Sequence, residues 1–342
     1  MSNLRRGSIV VAAGLVLAVA AEARAQSCGG CAAPGAPGGG AQRSWLEDGG
    51  WSIRATSEYE VRGRTYRGHG RVVNDFDETL RIRRFGLALR YGLTDDWTIG
   101  LDLSDPEFRY RLRPPGGRRA EVVVRGPGDT VARIGRRFDL TGTDDPAPDR
   151  PLPFDDRGTG DASRVRARPI EAPTLTLWAG VSIPTGDVRK PDASIVTRDF
   201  SVSNLQTGTG TIDPVLQARI DVPRGALRFF AEATAIVPLT ENRHDYRTGA
   251  TLAVGAGAEL DLGSGLHARL AATFQRVGND EFRGDAVGVG GGKWVYVTPG
   301  LAWDVSDRAT LDVGVRLTAL RDADTKIVDS RVAFQAGLTF RF

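Results

Sequence analysis

The sequence contains very little cysteine, histidine, methionine or lysine. Its 342 residues include 2 Cys, 3 His and 1 Met, and lysine occurs only at Lys190, Lys293 and Lys326. So few thiols and imidazoles exclude a disulfide framework and a Cys/His zinc cluster. Beyond the N-terminus there is also no uninterrupted apolar run of about 18 residues, which excludes a helical protein with several membrane spans. What the sequence has instead is glycine, at 43 positions.

The first 25 residues have the three parts of a secretory signal peptide. Arg5 and Arg6 are basic, residues 9–20 are apolar, and Ala23-Arg24-Ala25 has the small-residue pattern of a cleavage site. We therefore expect residues 1–25 to be removed and the protein to be exported. The 45 basic and 42 acidic residues nearly balance, so nucleic acid is not an expected partner.

Residues 26–50 are rich in Gly, Pro and Ala and predict a flexible periplasmic tail. Cys28 and Cys31 form a CxxC pair in this tail. The pair is a candidate metal site, and the alternatives are a small disulfide or a link between chains. Haem attachment is excluded because position 32 is Ala rather than His. We expect no cofactor.

From about residue 50 to the end, apolar and polar residues alternate with a period of two. This period is typical of β-strands with one apolar face. Among the clearest segments is the last, whose apolar face consists of Val332, Phe334, Ala336, Leu338, Phe340 and Phe342. The alternation predicts twelve strands, at roughly 51–62, 79–93, 96–112, 129–140, 173–184, 211–222, 227–239, 248–262, 266–277, 292–305, 309–320 and 328–342.

The strand lengths and connections favour a membrane barrel. A tilted transmembrane strand needs about 9–11 residues, and the predicted strands are at least that long. Short turns alternate with long polar links at 63–78, 113–128, 185–210, 278–291 and 321–327, as in outer-membrane barrels. Residues 141–172 break this rule, because they form a long insertion on the short-turn side or hide a missed pair of strands.

The alternative is a soluble β-sandwich, whose apolar faces would meet each other. Three features favour a closed antiparallel transmembrane barrel of about twelve strands over residues 51–342. Its apolar faces contain many small residues, the chain ends on Phe342, and aromatic residues occur near strand ends where interfacial girdles lie: Trp51, Tyr91, Trp97, Trp303, Phe340 and Phe342. Pro299 falls inside the tenth strand, where we expect a bulge or kink absorbed by Gly300, unless Pro299 ends the strand.

Three short motifs extend this interpretation to a family. They are Gly126-Pro-Gly-Asp129 at the start of one strand, Ile183-Pro-Thr-Gly-Asp187 at the end of another, and Gly208-Thr-Gly-Thr-Ile-Asp-Pro214 before the next. With the signal peptide and the terminal Arg341-Phe342, the chain resembles Gram-negative outer-membrane barrels. More narrowly, it resembles the transporter-like barrels named after the meta pathway of phenol degradation. The resemblance implies a barrel that passes small, often aromatic or hydrophobic, compounds, with Phe342 as a signal for the barrel assembly machinery.

The residues facing inward by parity predict a strongly polar lumen. Such a lumen is typical of a selective channel, or the charges only pair and fill the interior. The candidate lumen-lining residues are Arg90, Asp102, Arg133, Arg137, Asp139, Arg219, Asp221, Arg228, Glu232, Glu259, Asp261, Arg269, Asp304, Asp312, Arg316, Arg331 and Arg341.

The sequence gives little support to catalysis. The loop pair His244-Asp245 is the one candidate, for proteolysis, and such a pair is more often solvated surface. The glycine run 288–293 lacks the phosphate-loop spacing, and no catalytic residue is predicted. We therefore expect a non-enzymatic channel in the cell outer membrane, in contact with lipid and with a small-molecule solute. The alternative is a non-conducting barrel that serves as a structural or interaction scaffold.

Overall fold

The structure is a computed structural model and describes residues 44–113, 116–141, 167–169, 171–188, 206–286 and 291–342. Within these residues, twelve long antiparallel strands form one barrel. They are β1 (Trp51–Arg62), β2 (Thr79–Gly92), β3 (Trp97–Leu112), β4 (Thr130–Asp139), β5 (Thr174–Ile183), β6 (Asp213–Arg224), β7 (Leu227–Ile236), β8 (Thr251–Gly263), β9 (Leu266–Val277), β10 (Gly292–Ser306), β11 (Ala309–Asp329) and β12 (Val332–Arg341).

Each of these strands pairs with its neighbour in the chain, and β12 pairs with β1, so the sheet closes on itself. Closure gives every strand a hydrogen-bonding neighbour on both sides, as a strand crossing lipid requires. The predicted all-β closed barrel of twelve strands is therefore confirmed. The predicted signal peptide, Cys28 and Cys31, and residues 142–166 of the insertion lie outside the described residues.

The prediction near the C-terminus needs one correction. Residues 321–327 are not a loop, because β11 continues to Asp329, and β12 begins at Val332 rather than at residue 328. The extra length of β11 pairs with a short strand, Arg64–Gly68, that rises beyond the barrel wall. The sequence hides this extension because its charged residues interrupt the alternation above the membrane.

The structure has no β-bulge at Pro299, and the strand does not end there. Strand β10 runs through Pro299, which pairs with Leu270 of β9. On the other side, the pairs Val297–Leu317 and Gly300–Gly314 keep the same register across it. The register shifts of β10 against β11 lie instead between Val295 and Tyr296 and near the following turn.

The barrel has two different ends. The turn end carries the tight turns, such as those at Gly225 and Ser264, together with Phe342. The loop end carries the long links and three further hairpin strands that extend the wall, Arg64–Gly68, Gly70–Val72 and Ala120–Arg125. At the loop end the interior contains an apolar cluster formed by Ile82, Phe108, Tyr110 and Leu112.

The outer surface of the barrel is apolar. Large apolar side chains such as Phe85, Leu270 and Leu301 are exposed on it, whereas charged side chains such as Asp102 and Arg219 are buried inside. The predicted aromatic residues lie at the turn end, where Trp51, Trp97, Trp303, Phe340 and Phe342 are all exposed and Tyr91 packs against Trp51. This inverted arrangement is that of a protein whose solvent is lipid. The described residues contain no helix that is long and apolar enough to cross a membrane.

The last residues of the predicted flexible tail are ordered. Ser44–Leu46 forms a short strand that pairs with Ala167–Pro169 from the insertion. Trp45 is almost completely buried. The backbone of Gly49 and Gly50 is hydrogen-bonded to Gly92 at the end of β2. The tail therefore contributes to the turn end of the barrel interior rather than only preceding it.

Candidate functional site

The barrel interior contains most of the charged residues that parity predicts to line it. Six of them are buried: Asp102, Arg137, Arg219, Asp221, Glu232 and Glu259. Eight are partly buried: Arg90, Arg133, Arg228, Arg269, Asp304, Asp312, Arg316 and Arg341. Three lie at the rims and are exposed, namely Asp139 and Asp261 near the turn end and Arg331 between β11 and β12. These three lie close to the ends of their strands.

The largest group of charges lies where β1, β2, β11 and β12 meet. Glu58 accepts hydrogen bonds from Arg84 and, at 2.9 Å, from Gln335. Glu60 accepts from Arg62 at 2.9 Å, and Arg316 reaches both carboxylates at 3.3–3.4 Å. Three arginines therefore share two glutamates, the buried Glu60 and the partly buried Glu58, on one wall of the lumen.

Sequence reasoning missed most of this group. The available signal is the parity of β1, in which Arg54, Glu58, Glu60 and Arg62 all have even numbers, opposite to its exposed apolar residues. Arg54 binds Asp312 through two hydrogen bonds of 2.8 Å, a bidentate geometry that guanidinium and carboxylate groups favour. Asp312 was among the predicted residues, whereas its partner Arg54 was not.

A second group lies on β2, β3 and β4. The carboxylate of Asp102 is completely buried and accepts hydrogen bonds from Arg90 at 2.6 Å and from Arg133 at 2.6 Å. Arg133 also donates to Gln217 at 2.8 Å. Both guanidinium groups lie over the ring of Trp178, at 5.5 and 5.7 Å from its centroid. This part of the wall holds two cations, one anion and an aromatic ring.

A third group lies on β6, β7 and β9. Arg219 donates to Asp221 at 2.7 and 2.8 Å and to Glu232 at 3.1 Å. Phe230 lies between Arg219 and Arg269, whose guanidinium carbons are 4.7 and 4.6 Å from the ring centroid. Cation–π contacts of this kind are stronger where water is excluded.

A smaller polar group lies near the turn end on β9, β10 and β11. His267 contacts Asp304 at 3.2 Å, and Thr310 donates to Asp304 at 2.6 Å. Arg341 donates to Thr310 at 3.0 Å. These contacts join the four side chains into one chain of polar groups near the turn end.

Buried ion pairs have a cost that explains the pairing. Removing a charge from water costs several kcal/mol, about what a well-placed partner returns. In a soluble core such pairs are usually replaceable by apolar side chains. Here the outer face must be apolar, so the polar half of every strand faces the lumen and pairing becomes the way to hold charges there.

The three sequence motifs meet at the loop end. Asp129 of the first motif accepts hydrogen bonds from the backbone N–H and hydroxyl of Thr209, at 2.6 and 2.8 Å, and from the N–H of Gly186 at 3.1 Å. Thr185 donates to the carbonyl of Gly128 at 2.8 Å. Burial raises the pKa of Asp129 above its ordinary value, and these hydrogen bonds offset only part of that rise. The motifs therefore form one hydrogen-bonded cluster, which we call the Asp129 cluster, that joins the ends of β4, β5 and β6.

Glycine is required where the second and third motifs touch. A Cβ on Gly208 would lie 2.7 Å from the Cα of Gly186 and 2.4 Å from the carboxylate of Asp129. Gly210 has a φ of +74°, a conformation that favours glycine. The glycines of the motifs thus serve close backbone packing and a turn.

The loops beyond β7 and β9 form a second contact at this end. The hydroxyl of Tyr246 donates to Asp280, and the N–H of Gly249 donates to the same carboxyl group at 3.3 Å. Burial raises the pKa of Asp280 to about 7. On the neighbouring row, Arg247 pairs with Glu281.

The proposed catalytic pair does not assemble. His244 Nε2 lies 3.0 Å from the carbonyl of Val188, and Asp245 pairs with Arg283 at 3.3 Å. The two side chains thus have separate partners. In the part of the chain that the structure describes, no group of three or more His, Cys, Asp or Glu side chains is arranged to hold a metal ion. The candidate metal residues Cys28 and Cys31 lie outside that part and remain a prediction.

A closed barrel with an apolar outer belt and a charged interior defines the class of outer-membrane β-barrels. No protein-family model matches the chain, and no curated protein matches its sequence. Its structure is similar to that of an outer membrane channel from Pseudomonas putida F1, with a TM-score of 0.60 and 13% identity over 89% of this chain and 99% of that one. This similarity confirms the predicted outer-membrane barrel fold.

Two further structures are more distant. A Pseudomonas aeruginosa FadL homologue has a TM-score of 0.40 and 8% identity over 86% of this chain and 90% of that one. The Ralstonia pickettii toluene transporter TbuX has a TM-score of 0.39 and 8% identity over 87% of this chain and 90% of that one. Structural similarities with TM-scores this low do not bear on which solutes this protein transports.

Proposed function

We propose that the protein is an outer-membrane channel for the passive passage of small molecules, including hydrophobic and aromatic ones. The observation that carries the proposal is the inner wall. Its charged groups are held in pairs around one closed cylinder, while every apolar belt residue faces outward. The channel from Pseudomonas putida F1, which shares the fold, supports the same class of function.

The inner wall carries aromatic rings as well as charges. Trp178, Phe230 and Tyr296 each lie beneath a guanidinium group, the last at 5.1 Å from Arg316. Aromatic faces next to cations attract both apolar rings and polarisable solutes. Arginine and carboxylate groups on opposite strands would make passage sensitive to solute charge.

The test is ion conductance across a planar bilayer containing protein purified from outer membranes. Discrete steps are expected for the wild type. Asp102→Asn leaves Arg90 and Arg133 without their shared carboxylate and should shift selectivity towards anions, whereas Arg90→Gln should shift it towards cations. Asp307→Asn, on an exposed turn, is the matched control and should change neither property.

Folding of each variant is checked by its heat-modifiable mobility on a gel. Folded wild-type protein that never conducts ions and never passes a neutral solute into vesicles would contradict the channel and favour the scaffold alternative. Equal selectivity in the two charge variants would show that the Asp102 group does not line the conducting path.

The end of the chain supports the expected role in assembly. The backbone of Phe342 exchanges hydrogen bonds with Trp51 at 2.7 and 3.0 Å, and its ring is exposed on the outer surface. Recognition of Phe342 by the barrel assembly machinery remains part of the proposal. Phe342→Ala should lower the amount of folded protein in outer membranes without changing the conductance of the molecules that assemble.

A further inference from the structure

The inner wall of β4 and β5 carries an aromatic surface near the turn end. Trp178 lies across Gly135, where an added Cβ would be 2.4 Å from the indole ring. Glycine at this position therefore lets the ring lie flat against the wall. The guanidinium groups of Arg90 and Arg133 lie over the same ring.

Trp45 occupies the space next to this surface. Its ring centroid is 6.0 Å from that of Trp178 with an interplanar angle of 49°, and it is only 1% exposed. The guanidinium of Arg137 lies over the Trp45 ring at 5.8 Å. We call the space bounded by Trp178 and Arg137 and filled by Trp45 the aromatic seat.

Trp45 fits the seat imperfectly. Its Nε1–H is buried and has no hydrogen-bond partner among the described residues, and the same holds for Arg137 Nε. The hydroxyls of Thr98 and Thr174, on the neighbouring strands β3 and β5, are also buried without a partner in the described chain. A buried polar group without a partner is destabilising, so a ligand with oxygen acceptors would fit the seat better than an indole does.

The charge around the seat favours an anion. Arg90, Arg133 and Arg137 are three cations, and Asp102 is the buried acid that two of them share. Asp139 Oδ1 is 3.7 Å from Arg137 Nε, but the Asp139 side chain is 55% exposed to solvent and therefore offsets the charge of Arg137 only weakly. The buried part of this region is therefore cationic.

The segment that carries Trp45 is not part of the barrel wall. Ser44–Leu46 pairs with Ala167–Pro169 in a separate two-stranded sheet. A two-stranded sheet of short strands is marginally stable by itself. The chain is joined to the wall just after this segment, where the N–H of Asp48 donates to Asp95 at 3.3 Å and Gly49 and Gly50 exchange backbone hydrogen bonds with Gly92, so Trp45 lies on a short arm.

We propose that the aromatic seat is a binding site for small aromatic carboxylates and that Trp45 is an internal competitor which such a solute displaces. The solute ring packs on Trp178, and its carboxylate accepts hydrogen bonds from Arg137 and a threonine hydroxyl. The proposal rests on the proposed function, because the solute reaches the seat through the lumen. It adds a solute class and an autoinhibitory segment to that function.

The first experiment measures binding of benzoate to the detergent-purified protein by calorimetry. Trp45→Ala empties the seat and should bind benzoate about tenfold more tightly than the wild type, if the competitor occupies the seat about nine-tenths of the time. Trp51→Ala, which removes an exposed tryptophan of the outer girdle, should bind like the wild type. Adding Arg137→Gln to Trp45→Ala should abolish the gain.

Two comparison solutes define the class. Cyclohexanecarboxylate has the charge without the aromatic face, and benzyl alcohol has the face without the charge, so both should bind Trp45→Ala at least several-fold more weakly than benzoate. Trp45→Phe keeps a competing ring and removes the unsatisfied N–H, so it should not gain affinity. Equal benzoate affinity in wild type, Trp45→Ala and Trp51→Ala, each shown to be folded, would overturn the proposal, as would equal affinity for all three solutes.

Conductance separates this proposal from the proposed function. If Trp45→Ala gains benzoate affinity but no variant conducts ions or passes solutes, the aromatic seat stands and the channel fails. If the wild type conducts but Trp45→Ala gains no affinity, the channel stands and the seat fails. The full proposal requires that benzoate affinity and steady-state flux both rise in Trp45→Ala and not in Trp51→Ala.

Discussion

The Asp129 cluster at the loop end and the Trp45 site at the turn end satisfy their buried polar groups to different degrees. At the loop end, Asp129 accepts three hydrogen bonds from two other segments of the chain. At the turn end, Trp45 Nε1 and Arg137 Nε are buried without a hydrogen-bond partner in the described chain. A satisfied network specifies one arrangement, whereas an unsatisfied one leaves free energy for another partner to gain.

This difference assigns different mechanical roles to the two ends. The Asp129 cluster fixes how β4, β5 and β6 leave the membrane and so holds the loops in place. The segment around Trp45 lies in a separate small sheet and fills a space that other molecules can occupy. The loop end should therefore be sensitive to small changes, and the turn end should tolerate large ones.

The largest effect on stability is expected for Asp129→Ala. The change leaves the two donors of Thr209 and the N–H of Gly186 without an acceptor, and should lower the free energy of unfolding by about 3 kcal/mol. Urea unfolding in lipid vesicles measures this change. Asp129→Asn keeps one acceptor oxygen and should lose less, while Asp307→Asn on an exposed turn should lose nothing measurable. If both variants at position 129 unfold like the wild type, the loop end is not a fixed structure.

Gly208→Ala tests the Asp129 cluster by adding a methyl group rather than by removing a charge. The new methyl group would lie 2.7 Å from the Cα of Gly186, which is backbone and cannot rotate away. Overpacking of this kind should cost about 1–3 kcal/mol in the same unfolding experiment. Gly70→Ala is the matched control, since its Cβ would meet nothing closer than 3.7 Å. If both variants lose the same free energy of unfolding, the loss comes from replacing a glycine in general and not from overpacking of the Asp129 cluster.

A pH dependence is expected from the second loop-end contact. Burial raises the pKa of Asp280 to about 7, so the folded state binds its proton more tightly than the unfolded chain does. This contribution is complete below about pH 4 and is lost as the pH rises to about 7. The melting temperature of the wild type should therefore fall from pH 5 to pH 8 by more than that of Asp280→Asn. The exposed Asp285→Asn variant should keep the full wild-type difference.

The barrel was predictable because its physical signal repeats along the chain. A strand in a barrel wall alternates strictly between lipid and lumen, so the bounds of β1 and β9 follow from the sequence to the residue. The prediction failed where the strand extends beyond the apolar belt, because large apolar residues no longer alternate with polar ones there. In its extended end, β11 has Arg321, Ala323 and Asp329 on its buried positions instead of large apolar residues, and its charges at Asp322 and Asp324 read as a loop.

The site was predictable in part. Parity identifies Asp102 and Arg219 as inward-facing, but it does not say which charges will pair. It also cannot place Trp45, because the tail before β1 has no alternation and reaches the interior by pairing with residues 167–169, more than a hundred positions away. The three motifs indicate a family by resemblance, but their role in closing around Asp129 depends on contacts between segments that no single motif shows.

The smallest effect on stability is expected for the largest side chain in this comparison. Truncating a fully buried tryptophan usually costs about 3–5 kcal/mol, yet Trp45→Ala should lower the free energy of unfolding by less than about 1 kcal/mol. The ring lies in a separate sheet, so the wall beneath it stays closed, and the loss of its contacts is offset by removal of a buried N–H without a partner. Trp178→Ala is the contrasting variant, because that ring lies on the wall between two arginines and should cost several times more. If the two tryptophans cost the same in urea unfolding, Trp45 is part of the barrel core, and the turn end is as fixed as the loop end.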